Sequence, residues 1–277
     1  MVFKDILVHV DNSKSSPARL NAAIRLAQTW DSKLTGAYVL SQPYLPAYTE
    51  VQIGPDILEA QAKELKRNAE EAGSAFRKTT DQGGVNAEWR VLEGMTVEAL
   101  AIQSRYFDLA IVGQGDPDEY LFIGDREMPD GLIMTSGRPV LIIPFVGTFE
   151  TIGKNIMVAW DGGQQASRAV HDALPVLKAA NTVTVMVVNP KGGRQGTGDL
   201  PGADMAAHLS RHGVNAEADH VISDLDPGDT LLSRAADKGI DLLVMGTYGH
   251  ARWTELILGG VTNHMLKHMT VPVLTSH

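Results

Sequence analysis

Glycines at 246, 249, 259 and 260 punctuate the stretch GTYGHARWTELILGGVT, residues 246–262, which is otherwise bulky. The stretch follows the apolar run DLLVM and precedes VTNHMLKHM, whose length and spacing predict a helix. Glycine leaving a strand permits positive φ, and it lets backbone N–H groups approach a ligand with no Cβ in the way. Gly259 and Gly260 stand where that helix begins, and free N–H groups at a helix start favour anions. One glycine pair after a strand and another before a helix are placed to cradle a polyphosphate from two sides. Arg252 within the loop adds positive charge. Thr262 is suited to cap the helix or to donate to a phosphate. Glycines like these can also make tight turns and nothing more. The strand before, the helix after and the position in the sheet argued below favour the ligand.

Other residue sets offer less. His264 and His268 are four apart on a predicted helix, as are His208 and His212, and each pair could face a Zn²⁺ ion. No cysteine supports them and H-E-x-x-H is absent, so structural histidines are the better reading. The glycine-rich NPKGGRQGTGDLPG, 189–202, lacks the P-loop pattern and reads as a surface loop from which Lys191 and Arg194 could visit a phosphate. G-x-G-x-x-G is absent after either first strand, and G-x-S-x-G is absent altogether. His9 and Asp11 end a strand without a serine or second carboxylate legible beside them as a catalytic set.

The 277 residues suit two domains. A net charge of −9 argues against a duplex nucleic-acid partner and against an anionic lipid surface. No cysteine is present, which excludes disulfides and thiolate chemistry and fits a reducing compartment. The N-terminal MVFKDILVHVDNS is too short and too charged for a signal peptide or a span, so the expected location is cytoplasmic.

The elements that must position the glycines come twice. KDILVHVD at 4–11 matches KNIMVAWD at 154–161, FDLAIVGQG at 107–115 matches IDLLVMGTY at 240–248, and RPVLIIP at 138–144 matches VPVLTSH at 271–277. Three matches in the same order predict two copies of one domain, 1–147 and 152–277. Within each copy, short β-rich apolar runs alternate with segments of helical length such as SPARLNAAIRLAQTW and ASRAVHDALPVLKAA. This predicts β-α-β-α-β-α-β-α-β, a parallel sheet covered by helices on both faces. Ligands of such sheets bind beyond the carboxyl ends of the strands, where the strand order reverses. The glycine stretch begins at one of those ends.

G-T-Y-G, nine residues, then G-G-V-T resembles the universal stress protein signature, G-x2-G-x9-G-[ST]. Asp161 at the end of the copy's first strand, and VMVVN as its second strand, also look like that family. The resemblance spans the chain as two tandem copies. It implies two flavodoxin-like α/β domains, each with five parallel strands in the order 3-2-1-4-5, packed about a pseudo-two-fold. It also implies an adenine nucleotide (ATP, ADP or AMP), with Mg²⁺ as a companion ion. Its contacts would be Ala159, Asp161, Val188, Met245, Gly246, Gly249, His250, Arg252, Gly259, Gly260, Val261 and Thr262. Gly260 departs from the signature by standing at the hydroxyl position, so ADP or AMP should compete well with ATP. Slow metal-dependent hydrolysis, or a chaperone-like role without nucleotide, are the alternatives. A role in stress response through conformation or partner choice is the expected use.

The first copy reads GQGDPDEYLFIGDREMPDG at the equivalent place. The glycine spacing is lost, and Asp116, Asp118, Glu119, Asp125, Glu127 and Asp130 face a single Arg126. Carboxylates repel a polyphosphate, so the first copy is expected not to bind one. The last strand of each copy, PVLIIP and VPVLTS, is long, apolar and at a sheet edge. Such edges are normally covered or paired, and these two are expected to pair with each other, with a homodimer open alongside.

Overall fold

The computed structural model describes residues 3–41, 55–119, 128–190, 200–247 and 260–277. The first half contains β1 (Asp5–His9), α1 (Ser16–Trp30), β2 (Lys33–Leu40), α2 (Pro55–Gly83), β3 (Ala87–Glu93), α3 (Thr96–Ser104), β4 (Leu109–Gly113), α4 (Met128–Ser136) and β5 (Val140–Ile143). The second contains β6 (Asn155–Ala159), α5 (Gln164–Asp172), α6 (Leu174–Ala179), β7 (Thr182–Val188), α7 (Ala203–Arg211), β8 (Ala216–Val221), α8 (Pro227–Asp237), β9 (Leu242–Gly246), α9 (Gly260–His268) and β10 (Val273–Ser276).

These strands form one sheet, ordered β3-β2-β1-β4-β5-β10-β9-β6-β7-β8. Each half therefore has the order 3-2-1-4-5, and its pairings are parallel. The halves meet through antiparallel β5 and β10, with Leu141 opposite Leu274 and Ile142 opposite Val273. The outermost strands, AEWRVLE and AEADHV, carry charge and are only partly buried, which blunts the two free edges.

Successive residues of the central strands face opposite sides. Ile6, Ile111, Leu141, Ile156 and Leu274 pack on one face; Leu7, Val112, Ile142, Met157 and Val273 pack on the other. Both apolar layers run without interruption from one half into the other. The repeated Phe/Ile-Asp before β4 and β9 has a structural job. Asp108 accepts the N–H groups of Lys4 and Asp5, and Asp241 accepts those of Gly153, Lys154 and Asn155. Each carboxylate thus pins the start of its half's first strand.

One expected helix divides. ASRAVHDALPVLKAA becomes α5 and α6, with Pro175 in the first turn of the second. Proline lacks the N–H that a continuous helix would require, and its ring clashes with the carbonyl four residues back.

Candidate functional site

Parallel pairing brings the carboxyl ends of β6, β7 and β9 together, with Ala159 opposite both Met186 and Met245. Ala159 and Val188 close their strands and are half-buried. Asp161, two residues beyond β6, is exposed, and its Oδ1 accepts the Gly163 N–H at 2.8 Å. Gly260 and Val261 open α9, and Gly260 is exposed, with nothing among the described residues within 4 Å of where a Cβ would stand. Thr262, the third residue of that helix, is buried at 5% exposure, as is Met245. Gly249, His250, Arg252 and Gly259 lie outside the described residues.

Gly246 has a packing role. A Cβ there would stand 2.2 Å from the Ala166 nitrogen and 2.3 Å from the Gln165 carbonyl carbon. The glycine lets the start of α5 lie directly on the end of β9.

The same place in the first half is built differently. His9, Asp11, Ser16 and Arg19 stand where the second half has Ala159, Asp161, Ala166 and Ala169. Arg19 is 2% exposed, and its Nη1 occupies the space that a Cβ on Gly113 would take. Its Nε donates to the His9 carbonyl at 2.7 Å, and its Nη2 reaches Asp11 at 2.8 Å and Ser16 Oγ at 3.2 Å. Asp11 also accepts from the Ser13 hydroxyl and the Ser13 N–H. Burial alone would raise the Asp11 carboxyl, but Arg19 and Ser13 hold it well below the usual carboxylate range. Burial lowers the His9 imidazole to about 4, against a smaller opposing pull from Asp11. His9 is therefore neutral at pH 7, and Asp11 is an anion already engaged.

A cleft of about 310 Å³ opens above these groups, lined also by Tyr38, Gln114 and Glu119. Gln114 joins the halves: its Nε2 donates to the Leu266 carbonyl in the last turn of α9, at 2.9 Å. This cluster was not anticipated from the sequence. The available signal was an arginine on the apolar face of α1, beside the buried Ala22 and Ala23. Setting the two copies side by side also shows Arg19 facing Ala169.

The histidine pairs resolve into local contacts. His264 Nε2 lies 2.8 Å from Asp229 Oδ1. Asp226, whose carboxylate shares that neighbourhood, caps α8 through the Gly228 N–H. His208 sits between His171 and His212, with ring centroids 5.4 and 4.7 Å away. Among the described residues no helix is long and apolar enough to cross a membrane.

Comparison with known proteins agrees with this architecture. The profile of the universal stress protein family matches residues 3–119 and 153–277. A universal stress protein of Synechocystis is 24% identical over 226 residues, covering 79% of this chain and 76% of its own length. The solved structure of a universal stress protein from Archaeoglobus fulgidus superposes with a TM-score of 0.79 at 19% identity, covering 99% of this chain and 97% of that one. A functionally unknown protein of Pseudomonas aeruginosa gives 0.55 at 15% identity, with 99% and 92% covered.

Proposed function

The chain belongs to the universal stress protein family, and from that premise we propose that it binds one adenine nucleotide, in its second half, and signals through the resulting conformation or choice of partner. The observation that carries this reading is the contrast between two equivalent aspartates. Asp161 is exposed and receives one backbone N–H, whereas Asp11 is consumed by Arg19 and Ser13. An available carboxylate at the end of β6 can accept the hydroxyls of a ribose. Ala159 and Val188, half-buried at the ends of β6 and β7, would face a base, with a methyl at 159 where the first half carries the His9 imidazole. The N–H groups of the first turn of α9 suit the phosphates, and Gly249 and Gly259 precede it in the sequence. A bound nucleotide supplies the anionic charge that these donors are placed to meet.

The role is one of binding. Asp161 is the one carboxylate among the proposed contacts, and Mg²⁺ would reach the protein through it. Gln114 offers a route by which an occupied α9 is felt in the other half. The β5–β10 seam would let one chain do the work of a dimer of single domains. A sedimentation mass near 29.8 kDa is then expected, and a stable twofold mass would contradict that part.

Titration calorimetry with ATP, ADP and AMP tests the proposal. One site per chain is expected. Asp161→Asn should weaken it by about 10- to 100-fold, the value of hydrogen bonds to a charged acceptor, while Asp11→Asn should leave it unchanged. Equal affinity in wild type and Asp161→Asn would defeat the assignment.

A further inference from the structure

The cleft of the first half is a formed site with a chemistry of its own. Its volume of about 310 Å³ lies in the range of small-molecule pockets. Val10, Val39, Leu65 and Met128 give it apolar walls. At its floor is His9, 7% exposed, with a buried Nδ1 that has no hydrogen-bond partner among the described residues. Asp11 Oδ2 lies 3.6 Å from that nitrogen. Asp116 and Glu119 also line the cleft, so three carboxylates stand against one guanidinium. That guanidinium is committed to the His9 carbonyl, Asp11 and Ser16, and cannot turn to an incoming anion.

A buried polar atom without a partner is costly and points to a missing group. With the imidazole proton on Nε2, His9 Nδ1 and Asp11 Oδ2 are two acceptors 3.6 Å apart, and they can share one donor group at ordinary hydrogen-bond distances of about 2.7–3.2 Å to each. An ammonium brings three donors and no acceptor. Carboxylates at the mouth of a cleft with low-dielectric walls attract it and repel phosphate. We propose that this cleft is a receptor for a small organic cation, a primary amine or guanidinium compound with an apolar body. The cationic end sits between His9 Nδ1 and Asp11 Oδ2, and Asp116 and Glu119 draw it in. The first half would then report on a ligand of opposite charge to the one proposed for the second, and the two sites are independent in chemistry.

Calorimetric titration of the full chain with putrescine, agmatine and tyramine tests this, with AMP and Mg²⁺ as controls. At least one amine is expected to bind one site per chain. His9→Leu, and separately Asp116→Asn with Glu119→Gln, should each weaken it on the order of tenfold. The half-buried acidic pair, remote from the core that His9 enters, keeps the test valid if the His9 variant does not fold. Imidazole ¹⁵N NMR should show the His9 Nδ1 resonance shifting on titration. The proposal is overturned if none of the amines binds at about 10 mM, a weakly bound limit. It is also overturned if the acidic-pair variant binds them as wild type does, or if AMP or Mg²⁺ displaces the amine from this site.

Discussion

Alanine in place of Gly246 would put its Cβ 2.2 Å from the Ala166 nitrogen, 2.3 Å from the Gln165 carbonyl carbon and 2.8 Å from the Ala166 Cα. All three are backbone atoms of the first turn of α5, so no rotamer change relieves the contact. Ordinary contact begins near 3.4 Å, and the helix must retreat by about 1 Å. That retreat loosens Ala166, Ala169 and Val170, which α5 buries against the sheet. Overpacking a filled core costs about 1–3 kcal/mol. With backbone on the receiving side the upper end applies, about 3 kcal/mol. Urea unfolding should show a midpoint lowered accordingly, with an unchanged slope. Nucleotide affinity should fall as well, because α5 follows directly from Asp161. A change below about 0.5 kcal/mol, the usual scatter of surface substitutions, would show that the close approach of β9 to α5 has been misread.

Gly260 predicts the opposite. No described residue lies in its Cβ direction, so Gly260→Ala should change stability by less than about 0.5 kcal/mol. Gly260→Thr restores a hydroxyl at the phosphate end and should raise the preference for ATP over AMP in calorimetry. Arg19→Met should cost about 2 kcal/mol in denaturant unfolding, because it removes charge-assisted hydrogen bonds from the half-buried Asp11; adding Asp11→Asn should recover much of the loss. The fourth prediction concerns pH. Between the ordinary histidine value of 6.5 and the folded value of about 4, the unfolded chain holds a proton that folded His9 does not. Stability therefore falls as pH falls through that window, by about 3 kcal/mol at most. Asp11, lowered on folding, adds a further loss below 3.8 as it takes up its proton. His9→Phe should flatten the slope from 6.5 to 4, and an unflattened slope would place the titrating group elsewhere.

Much of the architecture is legible in the chain because it is written twice. The matched runs at 4–11 and 154–161 mark the first strands, and the apolar continuity of DLAIVG and DLLVMG marks strands covered on both faces. What escapes is tertiary. Pro175 lies in a run whose spacing suggests one helix, and only the geometry of the turn shows where the chain breaks. Arg19 lies on the apolar face of α1, but spacing alone does not name its partners. Its burial follows from contacts with Asp11 and the His9 carbonyl, across the turn that precedes the helix. Gly246 reads as a ligand-facing glycine, yet its Cβ direction points at α5, because direction depends on packing that spacing does not encode. That Val188 closes β7 and Asp161 lies just beyond β6 is legible, because the apolar runs mark where the strands stop.

On the proposed function, two copies of one fold have divided their sites, with the nucleotide in the second. A crystal structure of the full chain grown with ATP tests it most directly. One nucleotide is expected, with its ribose at Asp161, its base beside Ala159 and Val188 and its phosphates at the start of α9. Nucleotide density in the cleft between Asp11 and Glu119, with the second half empty, would contradict it.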